Sequence, residues 1–382
     1  MFENIRDFIR SLYPNEDPIP LHAPRFQGNE KKYLNDCIDS TYVSYVGKYV
    51  TDFENHIKTL TRSKHAIAMV NGTAALHLTL LALGIGQSDE VITQALTFAA
   101  TANAIRHANA MPVFIDVDKE TMGMSPISLR LFFEQYTLQK DNKCFNKNTG
   151  KRIAACIPMH TFGHPVKIDE IIAICRMFNV TVIEDAAEAL GSTYNNIHLG
   201  TFGTAGIISF NGNKPVTTGG GGMVITNDDS LAASIRHLAT TAKTNHPWEF
   251  FHDEVGYNYR MPNINAAIGC AQMEYYSNTL RNKRETASMY IKEMTAMGVQ
   301  IFCEPPHAFS NYWLNAILLK NRSERDLFLE YMNTHKIQTR PIWTLMNKLP
   351  AFESCFSMPL DNAQWFEDCV VNLPSSVRLN NE

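Results

Sequence analysis

Apolar, β-branched runs recur along the first two-thirds of the chain, at 65–70, 90–93, 112–117, 152–158, 180–184, 205–210 and 222–226. The stretches between them, such as 72–84, 99–108, 166–178 and 229–240, are long enough for helices. This alternation predicts an α/β fold with a mainly parallel seven-stranded sheet covered on both faces, whose ligands gather at the carboxyl ends of the strands. After about residue 245 the texture changes. A polar stretch, His246 to Glu254, leads into a small-residue amphipathic helix over Asn263–Met273 and a charged helix around 277–297. A strand near Trp313–Leu319 and a helix near Glu324–His335 follow. We expect a large domain over 1–245 that includes the N-terminal arm, and a smaller C-terminal α/β domain over 246–382. The Asn-, Lys- and Gly-rich segment from Cys144 to Arg152 reads as an exposed hairpin or loop.

Chemistry concentrates at three strand ends. Ser209-Phe-Asn-Gly-Asn-Lys214 isolates one lysine between a strand end and four consecutive glycines, Gly219 to Gly222. Upstream, Val-Ile-Glu-Asp185-Ala-Ala-Glu188 is a buried strand delivering a carboxylate to its C-terminal end. Alone, Asp185 reads equally well as a helix cap or a salt-bridged strand end, and an isolated lysine as a solvated charge. Together at one sheet edge they suggest pyridoxal phosphate, whose aldehyde forms a Schiff base with a lysine and whose ring nitrogen needs a facing acid. The third element is Val70-Asn71-Gly72-Thr73-Ala74, where a strand, a glycine turn and a helix start fall in sequence. Free amides at that helix N-terminus, with Thr73 and Ala74 as donors, suit a phosphate, although such a turn is more often an ordinary βα loop.

These segments resemble the sugar aminotransferases of the DegT/DnrJ/EryC1/StrS type, which are fold type I enzymes. The resemblance runs over nearly the whole chain. It covers Thr41–Gly47, Asn71–Leu76, Thr97–Asn103, Phe114–Asp118, Glu184–Gly191, the lysine loop, Gly256–Met261 and Asn372–Ser376. It is closest to the LegC-like branch in the wording of the lysine loop and in the Glu after Asp-Ala-Ala. What the resemblance implies is amination of C4 of a nucleotide-linked 4-keto-6-deoxy-N-acetylhexosamine, with glutamate as donor, in bacterial surface-glycan or nonulosonic-acid biosynthesis. Lys214 then matches the Schiff-base lysine, Asp185 the partner of the pyridine nitrogen, and Ser209 and Gly72 the phosphate site. Phe98 falls where the family places a planar residue against the ring. Asn258 matches a residue that reaches the phosphate of the neighbouring subunit, implying a homodimer with shared sites. Glu188 stands where many relatives have glutamine or histidine, near the phenolic oxygen of the cofactor. Relatives that dehydrate sugars replace the lysine by histidine, so the lysine here favours amino transfer. An aminotransferase for a 3-ketosugar or a keto-inositol, and a non-catalytic cofactor-binding regulator, are the alternatives.

Composition adds limits. With 382 residues and 45% hydrophobic content the chain can bury a sizeable core. A formal charge of −4 argues against a nucleic-acid scaffold, while Lys243 and Arg340 are candidates to grip a nucleotide diphosphate. Eight cysteines without paired spacing read as reduced thiols. No signal-peptide plan and no apolar run of about 20 residues is present, so a cytoplasmic location is expected. His160 and His164 are four apart, but Gly163 and Pro165 interrupt any helix that would aim both at one ion, so no metal site is expected.

Overall fold

The computed structural model describes residues 1–379. Nine strands form the main sheet: β1 (His65–Met69), β2 (Asp89–Gln94), β3 (Met111–Ile115), β4 (Thr137–Lys140), β5 (Lys143–Asn146), β6 (Arg152–Ile157), β7 (Thr181–Asp185) and, after the short strands β8 (Thr193–Tyr194) and β9 (Ile197–His198), β10 (Ala205–Ser209) and β11 (Gly222–Thr226). Seven lie in the order β1-β11-β10-β7-β6-β2-β3, and the hairpin β4–β5 extends the sheet from β6. Six of the seven are parallel; β11 runs against both β1 and β10. Helices α1 (Phe2–Leu12), α2 (Glu30–Asp39), α3 (Lys48–Thr61), α4 (Gly72–Ala82), α5 (Ala99–His107), α6 (Pro126–Tyr136), α7 (Ile168–Met177) and α8 (Asp229–Ala239) precede the long α9 (Asn263–Ala296). Both sheet faces are covered: Ile67, Leu78, Ile105, Val224 and Ile235 close one core, and Phe53, Ile208, Phe210, Met223 and Cys270 another. Strands buried on both faces explain the unbroken apolar runs in the sequence.

The remaining strands are β12 (Gln300–Ile301), β13 (Ala308–Phe309), β14 (Asn315–Leu318), β15 (Arg340–Pro341) and β16 (Val370–Leu373), with helices α10 (Arg322–Thr334) and α11 (Asp361–Cys369). A second sheet runs β12-β14-β16-β15, and β13 joins β8 and β9 in a third.

Two features depart from expectation. The helices anticipated at 263–273 and 277–297 are one 34-residue helix, α9, roughly 50 Å long. No Gly or Pro punctuates it between the halves, and its buried face passes from Ala266, Ala267 and Cys270 against Phe53 to Tyr290 and Met294 against the second sheet. The N-terminal helix does not lie on the main sheet: Ile5, Ile9 and Leu12 bury against Phe328, Met332 and Val371. The Cys144–Arg152 segment, read as an exposed hairpin or loop, is a hairpin: β5 turns back to pair antiparallel with β6 through Phe145 and Arg152, although Cys144 itself is buried beside Phe132 and Phe133 and β5 also pairs with β4. The turn of the β4–β5 hairpin is Asp141-Asn142, both at positive φ, the backbone that two-residue hairpins require.

Candidate active site

Strand register assembles the site. Gly222 opens β11 opposite Met69 of β1 on one side and Ser209 of β10 on the other. Because β11 runs antiparallel, its start lies where its neighbours end, and the glycine loop meets the carboxyl edge of the sheet. On the next strand Ile207 aligns with Asp185. The turn after β1, the end of β7 and the lysine loop after β10 therefore open into one cavity of about 610 Å³, lined among others by Gly72, Thr73, Phe98, Asp185, Ser209 and Lys214.

Lys214 is only 8% exposed. Its Nζ lies 3.3 Å from Glu188 Oε1 and 3.4 Å from the centre of the Trp313 ring. The indole is held in place by its own Nε1, which donates to Asn213 O at 2.7 Å. Burial lowers the Lys214 pKa, opposed by the charges of Glu188 and Asp185. The ammonium is thus paired and stacked but poorly hydrated, which favours release of a nucleophilic amine.

Asp185 is held by two donors: Thr101 Oγ1 donates to Oδ2 at 2.7 Å and the Ala187 N–H to Oδ1 at 3.2 Å. Burial raises its pKa, and the Thr101 hydroxyl, the Ala187 amide, Lys214 and His160 pull it down. Glu188 accepts the Phe162 N–H on Oε2 at 2.8 Å. Burial pushes its pKa up to about 7 against the pull of Lys214 and of that amide.

At the turn, Asn71 caps α4 by accepting the Ala74 N–H on Oδ1 at 2.8 Å. That corrects one expectation: the Ala74 amide is already satisfied and Ala74 does not line the cavity, which leaves Gly72 and Thr73 facing it. A Cβ on Gly72 would sit 3.5 Å from Ser209 Cβ and 3.8 Å from its Oγ, so the missing side chain keeps open the gap between turn and hydroxyl. A Cβ on Gly222 would fall 2.4 Å from the Asn71 carbonyl carbon and 2.6 Å from Gly72 N, so only glycine fits under the turn. An amine, an ionisable acid on the adjacent strand and a cradle of amide and hydroxyl donors in one cavity fit pyridoxal phosphate.

Phe98 is 54% exposed at the mouth, edge-on to Trp343 at 6.3 Å. Arg340 also lines the cavity, its Nη1 donating to Asn333 Oδ1 at 3.1 Å and Thr339 O at 3.0 Å. Two residues singled out in the sequence lie off the lining of this chain's cavity. Lys243 Nζ sits 3.9 Å over the Phe250 ring, and exposed Asn258 bridges to Thr240. The histidine pair diverges: His160 Nε2 lies 3.0 Å from Glu184 Oε2, while His164 packs edge-on to Phe302 and Tyr312. Sequence reasoning missed Thr101, Trp313, Trp343 and the capping role of Asn71. Of these only Thr101, in the first turn of α5 after Phe98, and Asn71, before a glycine turn, carried a local signal.

The DegT/DnrJ/EryC1/StrS aminotransferase family model matches residues 24–382. The chain belongs to this family. It is similar to the GDP-perosamine synthase of Escherichia coli O157:H7, at 38% identity over 366 residues, 95% of each chain. A Bacillus subtilis relative named for pyridoxal phosphate dependence is 35% identical, over 88% of this chain and 84% of its own. Among solved structures, a DegT DnrJ EryC1 StrS aminotransferase from Brucella abortus superposes with a TM-score of 0.84 at 25% identity, covering 92% of this chain and 91% of that one. The protein is a pyridoxal-phosphate-dependent sugar aminotransferase of fold type I. Among its described residues no helix is long and apolar enough to cross a membrane.

Proposed function

We propose that the enzyme transfers an amino group from glutamate to C4 of a nucleotide-linked 4-keto-6-deoxyhexose, in a homodimer. The observation that carries this reading is the convergence of Lys214, Asp185, Ser209 and the Gly72-Thr73 turn on one cavity. When bound, pyridoxal phosphate supplies the aldehyde that carries the amino group and the conjugated ring that spreads the charge left at the reacting carbon. Lys214 is the residue that would hold that aldehyde, and its Nζ would carry the proton moved during amino transfer. The same amine returns a proton to the sugar carbon in the second half-reaction. Asp185, kept in place by Thr101, holds the ring nitrogen protonated. The amides of Gly72 and Thr73 and the Ser209 hydroxyl would hold the phosphate, and Phe98 at the mouth would pack against the ring. Arg340 faces the substrate's diphosphate. Asn258, exposed and off the cavity of its own chain, reaches the phosphate in the partner, and Lys243 lies on the same segment.

Two substrates divide the reading. The likeness to a GDP-perosamine synthase supports a GDP-linked sugar. The resemblance of the lysine loop and Glu188 to the LegC-like branch supports an N-acetylhexosamine. The test is the visible absorption spectrum of the holoenzyme, before and after glutamate, then with GDP-, UDP- and dTDP-linked 4-ketosugars with and without a C2 acetamido group. A cofactor band that bleaches with glutamate and returns with one of these sugars supports the proposal and names its substrate. A band restored only by a 3-ketosugar or keto-inositol, or one that ignores every amino donor, overturns it.

A further inference from the structure

Two acids three residues apart, Asp185 and Glu188, reach the same cavity and meet different surroundings. Asp185 turns to the Thr101 hydroxyl and the Ala187 amide. Glu188 has one oxygen taken by the Phe162 N–H, and the other faces Lys214 Nζ at 3.3 Å. Among the described residues it is the one carboxylate within ion-pair distance of that lysine.

The contact is built rather than incidental. Phe162 presents its N–H from a left-handed backbone, φ 56° and ψ 18°, a conformation that costs a non-glycine residue on the order of 1 kcal/mol or more. Asn311 braces the other side. Its Nδ2 donates to Glu188 O at 2.8 Å, and its Oδ1 accepts the N–H of Trp313, the residue whose ring underlies Lys214, also at 2.8 Å. A Cβ on neighbouring Gly163 would fall 2.0 Å from Asn311 Oδ1, so this packing leaves no slack. Glu188, Asn311, Trp313 and Lys214 thus form one closed loop of contacts.

We propose that Glu188 is the proton partner of Lys214, pairing as carboxylate with the ammonium and taking up the proton that the amine sheds to become a nucleophile. The transfer is internal and balanced: the N–H bond of Lys214 breaks, an O–H bond forms on Glu188 Oε1, and the pair stays neutral overall. Glu188 acts through Lys214 and is a positioning residue. The inference rests on the reading of Lys214 as the cofactor lysine. Other charged groups are accounted for. Asp185 on β7 opposes ionisation of Glu188. His160, on the turn beside Phe162, is tied to Glu184. Beyond Trp313, Lys283 of α9 donates to His22 Nε2 and to Trp313 O and Ser375 O. Asn311 and Trp313 are neutral. A glutamine would keep an acceptor for the Phe162 amide and remove only the charge.

The test measures the pH dependence of Lys214 acylation by acetic anhydride in the cofactor-free full-length protein, read by peptide mass, for wild type and Glu188→Gln. A carboxylate at this distance favours the ammonium, so its loss lowers the Lys214 midpoint by about a unit or more. At pH below both midpoints the variant lysine then reacts ~10-fold faster. Identical midpoints overturn the proposal. If Glu188→Gln does not fold, Glu188→Asp withdraws the charge by one methylene and lowers the midpoint less; no shift in that variant also overturns it. Borohydride reduction with added pyridoxal phosphate, mapped on the same peptides, tests the underlying reading separately, since a label elsewhere than Lys214 removes the cofactor assignment and leaves the acylation result standing.

Discussion

Thr101→Val isolates a single hydrogen bond at the centre of the site. Thr101 has one hydroxyl proton, and at 2.7 Å from Asp185 Oδ2 it is committed to the carboxylate. The 2.8 Å contact with Thr97 Oγ1 must then be donated by Thr97, which also reaches Met159 Sδ at 2.9 Å. Valine nearly preserves the shape and leaves Thr97 its sulfur acceptor, so the loss falls on Asp185. A hydrogen bond to a charged acceptor contributes about 1.5–3 kcal/mol. The sign follows from linkage. The folded pKa of Asp185 already lies above its unfolded value, so its contribution is present below the unfolded value and lost as pH rises through the folded one. The variant raises the folded value further. Near pH 3, where Asp185 is protonated in both proteins, denaturant unfolding of the cofactor-free variant should approach wild type. Near pH 8 the variant should be weaker by about 1.5–3 kcal/mol. If Asp185 faces the ring nitrogen as proposed, cofactor affinity, read by fluorescence, should fall at pH 8, because the acid is harder to ionise. In an Asp185→Asn background the effect should largely vanish. Wild-type affinity and stability at both pH values would refute the reasoning.

Gly222→Ala places a methyl 2.4 Å from the Asn71 carbonyl carbon and must displace the turn; it should weaken pyridoxal phosphate binding at least ~10-fold while sparing unphosphorylated pyridoxal, and equal losses for both ligands would remove the phosphate assignment. The Glu188 pKa of about 7 exceeds its ordinary 4.5, so its contribution to stability is full below pH 4.5 and lost as pH rises through 7; Glu188→Gln should flatten that decline in urea unfolding of the cofactor-free protein between pH 5 and 8. Lys214→Ala should abolish turnover with the fold intact. Mixed with Asn258→Ala in dimers shown to form, it should recover up to about a quarter of wild-type activity, the share expected of one intact site in two in half the dimers; no recovery would count against a site shared between subunits.

How much of this could be read from the chain depends on how local each signal is. The strands over 65–70, 180–184 and 205–210 announce themselves because both faces are buried, so apolar residues run unbroken and end where Asn71, Asp185 and Ser209 begin the polar edge. The four glycines are legible for a related reason, since Gly222 lies under a turn that admits no side chain. By contrast, the continuity of α9 is set by what it packs against. Its polar middle reads as a break, yet Lys283, Thr286 and Ala287 are buried there by the second sheet and the C-terminal segment. Trp313 has no local mark at all. It lies in the expected strand near 313–319, and only the crossing of that strand with the lysine loop brings its ring under Lys214.

The same contrast bears on the chemistry. Asp185 and Glu188 sit on one turn in a run of Asp-Ala-Ala-Glu, and nothing in that run distinguishes their tasks. Their environments do. A hydroxyl and an amide favour the ionised form of Asp185, whereas Glu188 has one amide and a lysine whose own charge is disfavoured by burial. Burial raises the proton affinity of both, and their partners leave Asp185 held by a hydroxyl and an amide while Glu188 faces an amine. The residues that impose this division, Thr101, Phe162, Asn311 and Trp313, come from three separate parts of the chain. Glu188 is therefore not a defect in the site. It is tolerated because Phe162 and Lys214 satisfy its two oxygens, and losing either contact should turn it from a proton partner into an uncompensated buried charge.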